Sequence, residues 1–149
     1  MAEHALHISR TLKAPRALAF KAWTDPKMVR EWWGPKYFTN PVCEVDARPG
    51  GKIAITMRGP DGTDYPMAGE FKEIVEPERL LFTTWVDRDG VRVLETLCTV
   101  IFEEKGGQTL VTLWVNVVKA TAEAAPMLAG MEQGWSGSLD KLVEYVAQF

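Results

Sequence analysis

Two hydrophobic periodicities divide this chain into successive parts. Apolar and polar residues alternate over residues 6–12, which predicts a short β-strand. The alternation returns at residue 42 and continues to residue 118, interrupted by turn sequences rich in glycine, proline and aspartate. From residue 121 the apolar residues lie three or four positions apart, which is the period of an amphipathic helix. The pattern therefore predicts one strand, a run of further strands and a long C-terminal helix.

Two short helices are predicted between the first strand and the second. Pro15 is suited to the first turn of a helix. The pair Asp25-Pro26 ends that helix and begins another over residues 26–33, which Gly34-Pro35 closes. Two helices thus follow the first strand.

The turn sequences divide the alternating region into six strands. Their predicted ranges are residues 42–48, 52–58, 63–75, 80–87, 91–104 and 109–118. Tight turns between consecutive strands predict an antiparallel meander. A helix over most of residues 122–147 would be about 40 Å long, and across one antiparallel sheet it would bury its apolar stripe on the concave face. We expect a single α+β domain over residues 1–149, with about seven strands.

Composition and charge argue against a membrane-spanning, a secreted or a nucleic-acid-binding protein. The chain has 149 residues, of which 46% are hydrophobic and 25% charged, as in a soluble globular domain. No apolar run approaches the ~20 residues of a membrane span, and the first ten residues lack the pattern of a secretory signal, so we expect a cytoplasmic protein. The net charge is −3 with scattered basic residues, which argues against a nucleic-acid partner.

Cysteine and histidine patterns indicate neither a metal site nor a histidine-centred triad. Cys43 and Cys98 are far apart and lie in strand-like segments, so we interpret them as small buried side chains rather than a disulfide or metal pair. His4 and His7 are expected on the surface without partners. The glycine pairs 50–51 and 106–107 connect strand to strand, so no nucleotide cofactor is implied.

The order of elements resembles the helix-grip fold of START-like lipid-transfer domains, polyketide cyclases and the birch-pollen allergen. A more specific set of motifs resembles the branch related to the C-terminal domain of the activator of the 90-kDa heat-shock chaperone ATPase. These motifs are Ala14-Pro15, Ala22-Trp23-Thr24-Asp25-Pro26, Trp32-Trp33-Gly34-Pro35, Arg48-Pro49-Gly50-Gly51, Asp61-Gly62, Gly69-Glu70-Phe71 with Glu73-Ile74, Pro77-Glu78-Arg79-Leu80, Thr84-Trp85 and Gly134-Trp135. The eukaryotic co-chaperone has a large domain before this one, with no counterpart in these 149 residues, so the resemblance implies the fold more than chaperone activation.

A cavity between the long helix and the sheet is the predicted site for an apolar or aromatic small molecule, because a helix cannot contact a curved sheet along its whole length. Tryptophans and methionines that adapt to irregular shapes would form much of the lining. The candidate lining residues are Trp32, Trp33, Ile55, Met57, Phe71, Trp85, Val100, Leu113, Met127, Met131 and Trp135. The alternative is that these side chains fill the core and leave no cavity.

Three glycines lie within the predicted long helix, and each costs ~1 kcal/mol relative to alanine. Gly130, Gly134 and Gly137 would allow a bend over a ligand, a close approach of loops or packing on a partner. Strand parity places Trp114 outward, either as a contact surface, for example of a homodimer, or packed against a neighbouring side chain.

Three functions remain open. The first is a binding protein for a lipophilic or aromatic molecule. The second is a cyclase- or hydrolase-type enzyme that uses a buried carboxylate, with Glu70 or Glu95 as weak candidates should their strands turn them toward the cavity. The third is a chaperone-associated interaction module with a filled interior and an apolar patch around Trp114.

Overall fold

The computed structural model describes residues 3–149, with side chains described from residue 6 onward. Its seven strands are β1 (Glu3–Leu12), β2 (Thr39–Val45), β3 (Lys52–Arg58), β4 (Asp64–Val75), β5 (Arg79–Arg88), β6 (Val91–Lys105) and β7 (Gln108–Ala120). Its helices are α1 (Arg16–Thr24), α2 (Pro26–Trp32) and α3 (Ala125–Val146), preceded by a short 3₁₀ turn at Ala122–Ala124. The predicted strand, two helices, six strands and final helix are confirmed.

All seven strands form one antiparallel sheet in the order β1-β7-β6-β5-β4-β3-β2. The sheet curls into a half-barrel and α3 packs on its inner side. Because β1 pairs with β7, the first strand joins the far end of the meander and leaves β1 and β2 at the edges. The α+β helix-grip fold is therefore confirmed.

Alternation along the strands separates an inner face from an outer one. On β7 the side chains of Val111, Leu113 and Val115 are fully buried on the inner face. Trp114 points the other way, as its parity predicts, and its ring stacks on His7 at 3.9 Å between ring centroids. The expectation that His7 has no partner is therefore wrong, while the side chain of His4 lies outside the described residues.

The junction between α1 and α2 at Asp25-Pro26 has the helix cap and the first-turn proline that the sequence predicts. Asp25 caps α2, since its side chain accepts a hydrogen bond from the backbone N–H of Lys27, and Pro26 occupies the first turn. This arrangement buries the ring of Trp32, whose Nε1 donates to the carbonyl of Ala22 at 2.9 Å. The described part of the chain has no helix long and apolar enough to cross a membrane.

Candidate ligand pocket

A pocket of about 250 Å³ opens between α3, the inner face of the sheet and the loop that follows α2. Its lining consists of six residues from α3, three from the loop and five from the strands. They are Met127, Gly130, Met131, Gly134, Trp135 and Ser138, then Trp33, Gly34 and Pro35, then Met57, Met67, Thr84, Leu94 and Thr96. None of these described lining residues carries a charge. Three of them have a hydroxyl group, and the two tryptophans each have an indole N–H.

Two tryptophans form the aromatic side of the pocket. The ring of Trp135 meets Trp33 edge-on, with 5.0 Å between ring centroids, and lies nearly parallel to Trp23 at 6.2 Å. Trp135 is only half-buried, because its remaining surface faces the pocket. A flat ring held by two neighbours provides a rigid apolar surface for a guest molecule.

Methionines form the other sides. Met57 and Met67 come from β3 and β4, while Met127 and Met131 come from α3, and all four are half-buried. An unbranched thioether adapts its shape and makes favourable contacts with aromatic rings. The sides of the pocket that the tryptophans do not line can therefore adapt to the shape of a guest.

The loop after α2 forms the rim and needs glycine for its shape. Gly34 has φ +92°, which side chains other than glycine rarely adopt. A Cβ atom there would also lie 3.0 Å from the sulfur of Met57. Both facts explain why Gly34 follows the tandem tryptophans at the pocket edge.

A single lysine links this rim to α3. The Nζ of Lys141 has three protons to donate and lies 3.2 Å from the backbone carbonyl oxygens of Gly34 and Pro35 and 3.4 Å from those of Trp33 and Phe38. Burial lowers the pKa of this ammonium from its ordinary value, since it leaves water. The contacts fix the position of the loop relative to the helix.

The glycines of α3 have two different surroundings. A Cβ at Gly137 would lie 3.4 Å from the backbone nitrogen of Lys36, and one at Gly134 would lie 3.7 Å from Pro35. These are ordinary contacts, and they show that the loop approaches the helix closely. Gly130 has no atom within 4 Å of the position of a Cβ and lines the pocket. The loop after α2 therefore lies beside Gly134 and Gly137 without requiring glycine at either position.

The family of this chain follows from its sequence match. Residues 13–147 match the model of the family described as Activator of Hsp90 ATPase homolog 1-like protein. The chain belongs to this family. No curated protein matches the chain.

Solved structures of bacterial proteins share the architecture of this family member. A protein of Nitrosomonas europaea is 26% identical with a TM-score of 0.81, over 96% of this chain and 94% of that one. A protein of Rhizobium leguminosarum is 28% identical with a TM-score of 0.75, over 100% and 98% of the two chains. A protein of Arthrobacter aurescens is 25% identical with a TM-score of 0.81, over 96% and 86%. The likeness therefore extends over nearly the whole chain.

Five of the predicted lining residues lie around the pocket, and five others fill the core. The pocket has Trp33, Met57, Met127, Met131 and Trp135 in its lining. Fully or almost fully buried in the core are Trp32, Ile55, Phe71, Val100 and Leu113. For these five, the core-filling alternative describes their position.

Trp85 is misplaced by the prediction. It pairs with Glu95 across β5 and β6, one position from the inner Thr84, and therefore lies on the outer face. There the guanidinium carbon of Arg92 lies 4.3 Å from the centre of its ring. A cation over the ring, rather than the pocket, covers this tryptophan.

The candidate carboxylates also lie outside the pocket. Glu70 is opposite Thr83 on the outer face, and its carboxylate accepts a hydrogen bond from the Nζ of Lys72 at 2.7 Å. Glu95 accepts from Arg92 at 3.0 Å on the same face. The idea that either strand turns its carboxylate toward the cavity is therefore wrong.

Several lining residues were missed by sequence reasoning. Met67 was recoverable, since it lies four residues before Phe71 and so shares its face of β4. Thr84 and Thr96 are harder to predict from the sequence, because polar side chains are not expected on the inner face of the sheet. The described side chains contain no group of three or more His, Cys, Asp or Glu that could hold a metal.

Both cysteines are free thiols. Cys98 is fully buried, whereas Cys43 is half-buried and its thiol lies 3.5 Å from the carbonyl of Pro26. Burial raises the pKa of Cys43 to about 11 and that of Cys98 to about 12. Neither thiol is therefore activated as a nucleophile.

Proposed function

We propose that this chain is a binding protein for a small apolar or aromatic molecule, held between α3 and the inner face of the sheet. The observation that carries the proposal is the pocket of about 250 Å³, lined by four methionines and two tryptophans without a charged side chain. Pockets for drug-sized ligands are mostly apolar and have volumes of roughly 300–1,000 Å³. The volume therefore favours a guest at or below the lower end of that range.

Partial burial of the lining supports an occupied site rather than packing surface alone. Trp135 and Met131 contact the core on one side, yet both remain half-buried because their other side faces the pocket. Apolar area left in contact with water costs roughly 25 cal/mol per Å². A guest that covers this area recovers that free energy.

The enzyme alternative lacks its proposed residue at this site. Glu70 and Glu95, the carboxylates considered for acid or base chemistry, are on the outer face in ion pairs. The three hydroxyl groups of the lining, on Thr84, Thr96 and Ser138, have no histidine or carboxylate among the described lining residues to activate them. The lining therefore favours binding over catalysis.

The first experiment is native mass spectrometry of the protein purified from its own cells, followed by organic extraction. The proposal expects an added mass that is lost on extraction and that restabilises the stripped protein when returned. Thermal-shift measurements with a set of small apolar and aromatic compounds extend the test to guests that are lost on purification.

A matched pair of variants in α3 tests whether the ligand binds in this pocket. Gly130→Leu places a large side chain in the open space of the pocket, whereas Ala129→Leu places the same side chain one residue earlier, at a position that does not line it. The proposal expects Gly130→Leu to lose ligand-induced stabilisation while Ala129→Leu retains it. Equal ligand responses in both variants, or no ligand from any source, would overturn the proposal.

A further inference from the structure

Two threonines place hydroxyl groups on an otherwise apolar floor. Thr84 on β5 and Thr96 on β6 lie directly opposite each other on the inner face, with their Oγ1 atoms 2.6 Å apart. Their inner-face neighbours along the two strands include Phe82, Leu94 and Cys98, all buried. Valine has nearly the shape of threonine, so packing alone does not require the hydroxyl groups here, and a buried hydroxyl costs free energy unless it is hydrogen-bonded.

The thiol of Cys98 is a third polar group beside the two threonine hydroxyls, and it affects which hydroxyl donates to which. The Sγ of Cys98 lies 3.6 Å from the Oγ1 of Thr96. Burial raises the pKa of Cys98 to about 12, so the thiol keeps its proton. Because a hydroxyl oxygen is a better acceptor than sulfur, the favoured direction is from the S–H to Thr96.

The hydrogen bonds then run from Thr96 to Thr84 and leave the proton of Thr84 for the pocket. The hydroxyl of Thr96 is buried and has the oxygen of Thr84 and the sulfur of Cys98 within reach, so its O–H donates to the oxygen of Thr84, which is the better acceptor. The 2.6 Å distance is in the range of an O–H···O bond. A hydroxyl has one proton and two acceptor lone pairs. Thr84 therefore keeps its proton for an acceptor outside this pair, and Thr84 is half-buried in the pocket lining.

We propose that the buried end of the guest carries a neutral acceptor oxygen that receives the hydrogen bond of Thr84, and that the guest is a small aromatic carbonyl compound. This inference rests on the proposed binding function and specifies the class of ligand. The absence of charge among the described lining residues argues against an ionised group at this buried end, where it would lose its hydration without a counter-charge. The aromatic part follows from Trp33 and Trp135 together with the methionine thioethers, which favour contact with rings.

The test compares 2-acetylnaphthalene with 2-ethylnaphthalene, which have nearly the same shape and differ in the carbonyl oxygen. Equilibrium dialysis gives the dissociation constant of each compound for the full chain. A neutral hydrogen bond corresponds to roughly threefold to tenfold in affinity. The wild-type protein is expected to prefer the ketone by that factor.

Isosteric variants assign the preference to the hydroxyl groups. Thr84→Val is expected to bind both compounds equally, with the affinity for 2-ethylnaphthalene unchanged. Thr96→Val, which removes the acceptor of the thiol proton, is expected to reduce the preference partially. Thr99→Val on the outer face of β6 is the matched control and should keep it. Circular dichroism establishes that each variant is folded, as expected for a β-branched replacement in a strand.

The outcomes separate this inference from the binding function. Equal binding of both compounds to the wild-type protein, or a preference that survives Thr84→Val, overturns the role of the threonine pair and leaves the binding function intact. Binding of neither compound, together with no ligand in native mass spectrometry, overturns both.

Discussion

Replacement of Trp135 by alanine separates the two roles of this side chain. The indole packs on Trp23 and Trp33 and also faces the pocket. Each aromatic pair contributes about 0.5–1.5 kcal/mol beyond area burial, and removal of a fully buried tryptophan costs about 3–5 kcal/mol. Because one side of Trp135 faces open space, we expect Trp135→Ala to lower the free energy of unfolding by about 2–3 kcal/mol.

The same change should weaken ligand binding by a calculable amount. Loss of one ring contact worth about 1.4 kcal/mol corresponds to a tenfold increase in the dissociation constant. At a ligand concentration 100 times the wild-type constant, stabilisation would fall from about 2.7 to about 1.4 kcal/mol. The assay is urea unfolding followed by far-ultraviolet circular dichroism, with and without 2-acetylnaphthalene or the extracted ligand.

Trp85→Ala is the matched control, since this half-buried tryptophan lies on the outer face. It should lose stability without any change in ligand-induced stabilisation. Two results would refute the reasoning: a loss below about 0.5 kcal/mol in Trp135→Ala, which is the range of ordinary surface changes, or an equal loss of ligand response in both variants.

Three further predictions concern the helix, the rim and the thiols. Gly130→Ala should stabilise the protein by about 0.5–1 kcal/mol and raise Tm by about 1–4 °C, since no atom lies near the added Cβ; an unchanged or lower Tm in calorimetry would contradict this. Lys141→Met should cost about 1–3 kcal/mol in urea unfolding through lost hydrogen bonds to carbonyls, and a loss as small as that of the exposed Lys36→Met would contradict it. Because the folded pKa values of Cys43 and Cys98 are about 11 and 12, above the ordinary 9.0, the folded state retains thiol protons that the unfolded chain loses. The free energy of unfolding should therefore fall from pH 9 toward pH 12, and a Cys43→Ala/Cys98→Ala double variant should show a shallower fall.

Hydrophobic periodicity and turn chemistry are sufficient to predict the order of the helices and strands, and the family resemblance adds the helix-grip fold. The strand predicted over residues 52–58 has the bounds Lys52–Arg58 in the structure, because glycine turns on both sides define it. The C-terminal helix is shorter than the predicted residues 122–147. Its first residues form a 3₁₀ turn, so α3 has 22 residues and a length of about 33 Å.

The pocket is only partly predictable from the sequence, because strand parity decides which side chains face it and hydrophobicity alone does not. On β5 apolar residues occur at both parities, as in Leu80 and Leu81, so the hydrophobic pattern does not show which face Trp85 occupies. On β4, the inward assignment of Phe71 already implied that Glu70 points outward. The inward threonines have no hydrophobic signal, and only the observed register shows that Thr84 and Thr96 are paired.

The contacts of Lys141 have a consequence for the response of the pocket to ionic strength. Its four partners are backbone carbonyls, which are dipoles, whereas Arg10 and Asp140 form a partly exposed ion pair between β1 and α3. Dissolved salt screens exposed charge pairs but has much less effect on half-buried contacts. The rim of the pocket therefore keeps its attachment to α3 in concentrated salt, where the pair between Arg10 and Asp140 weakens.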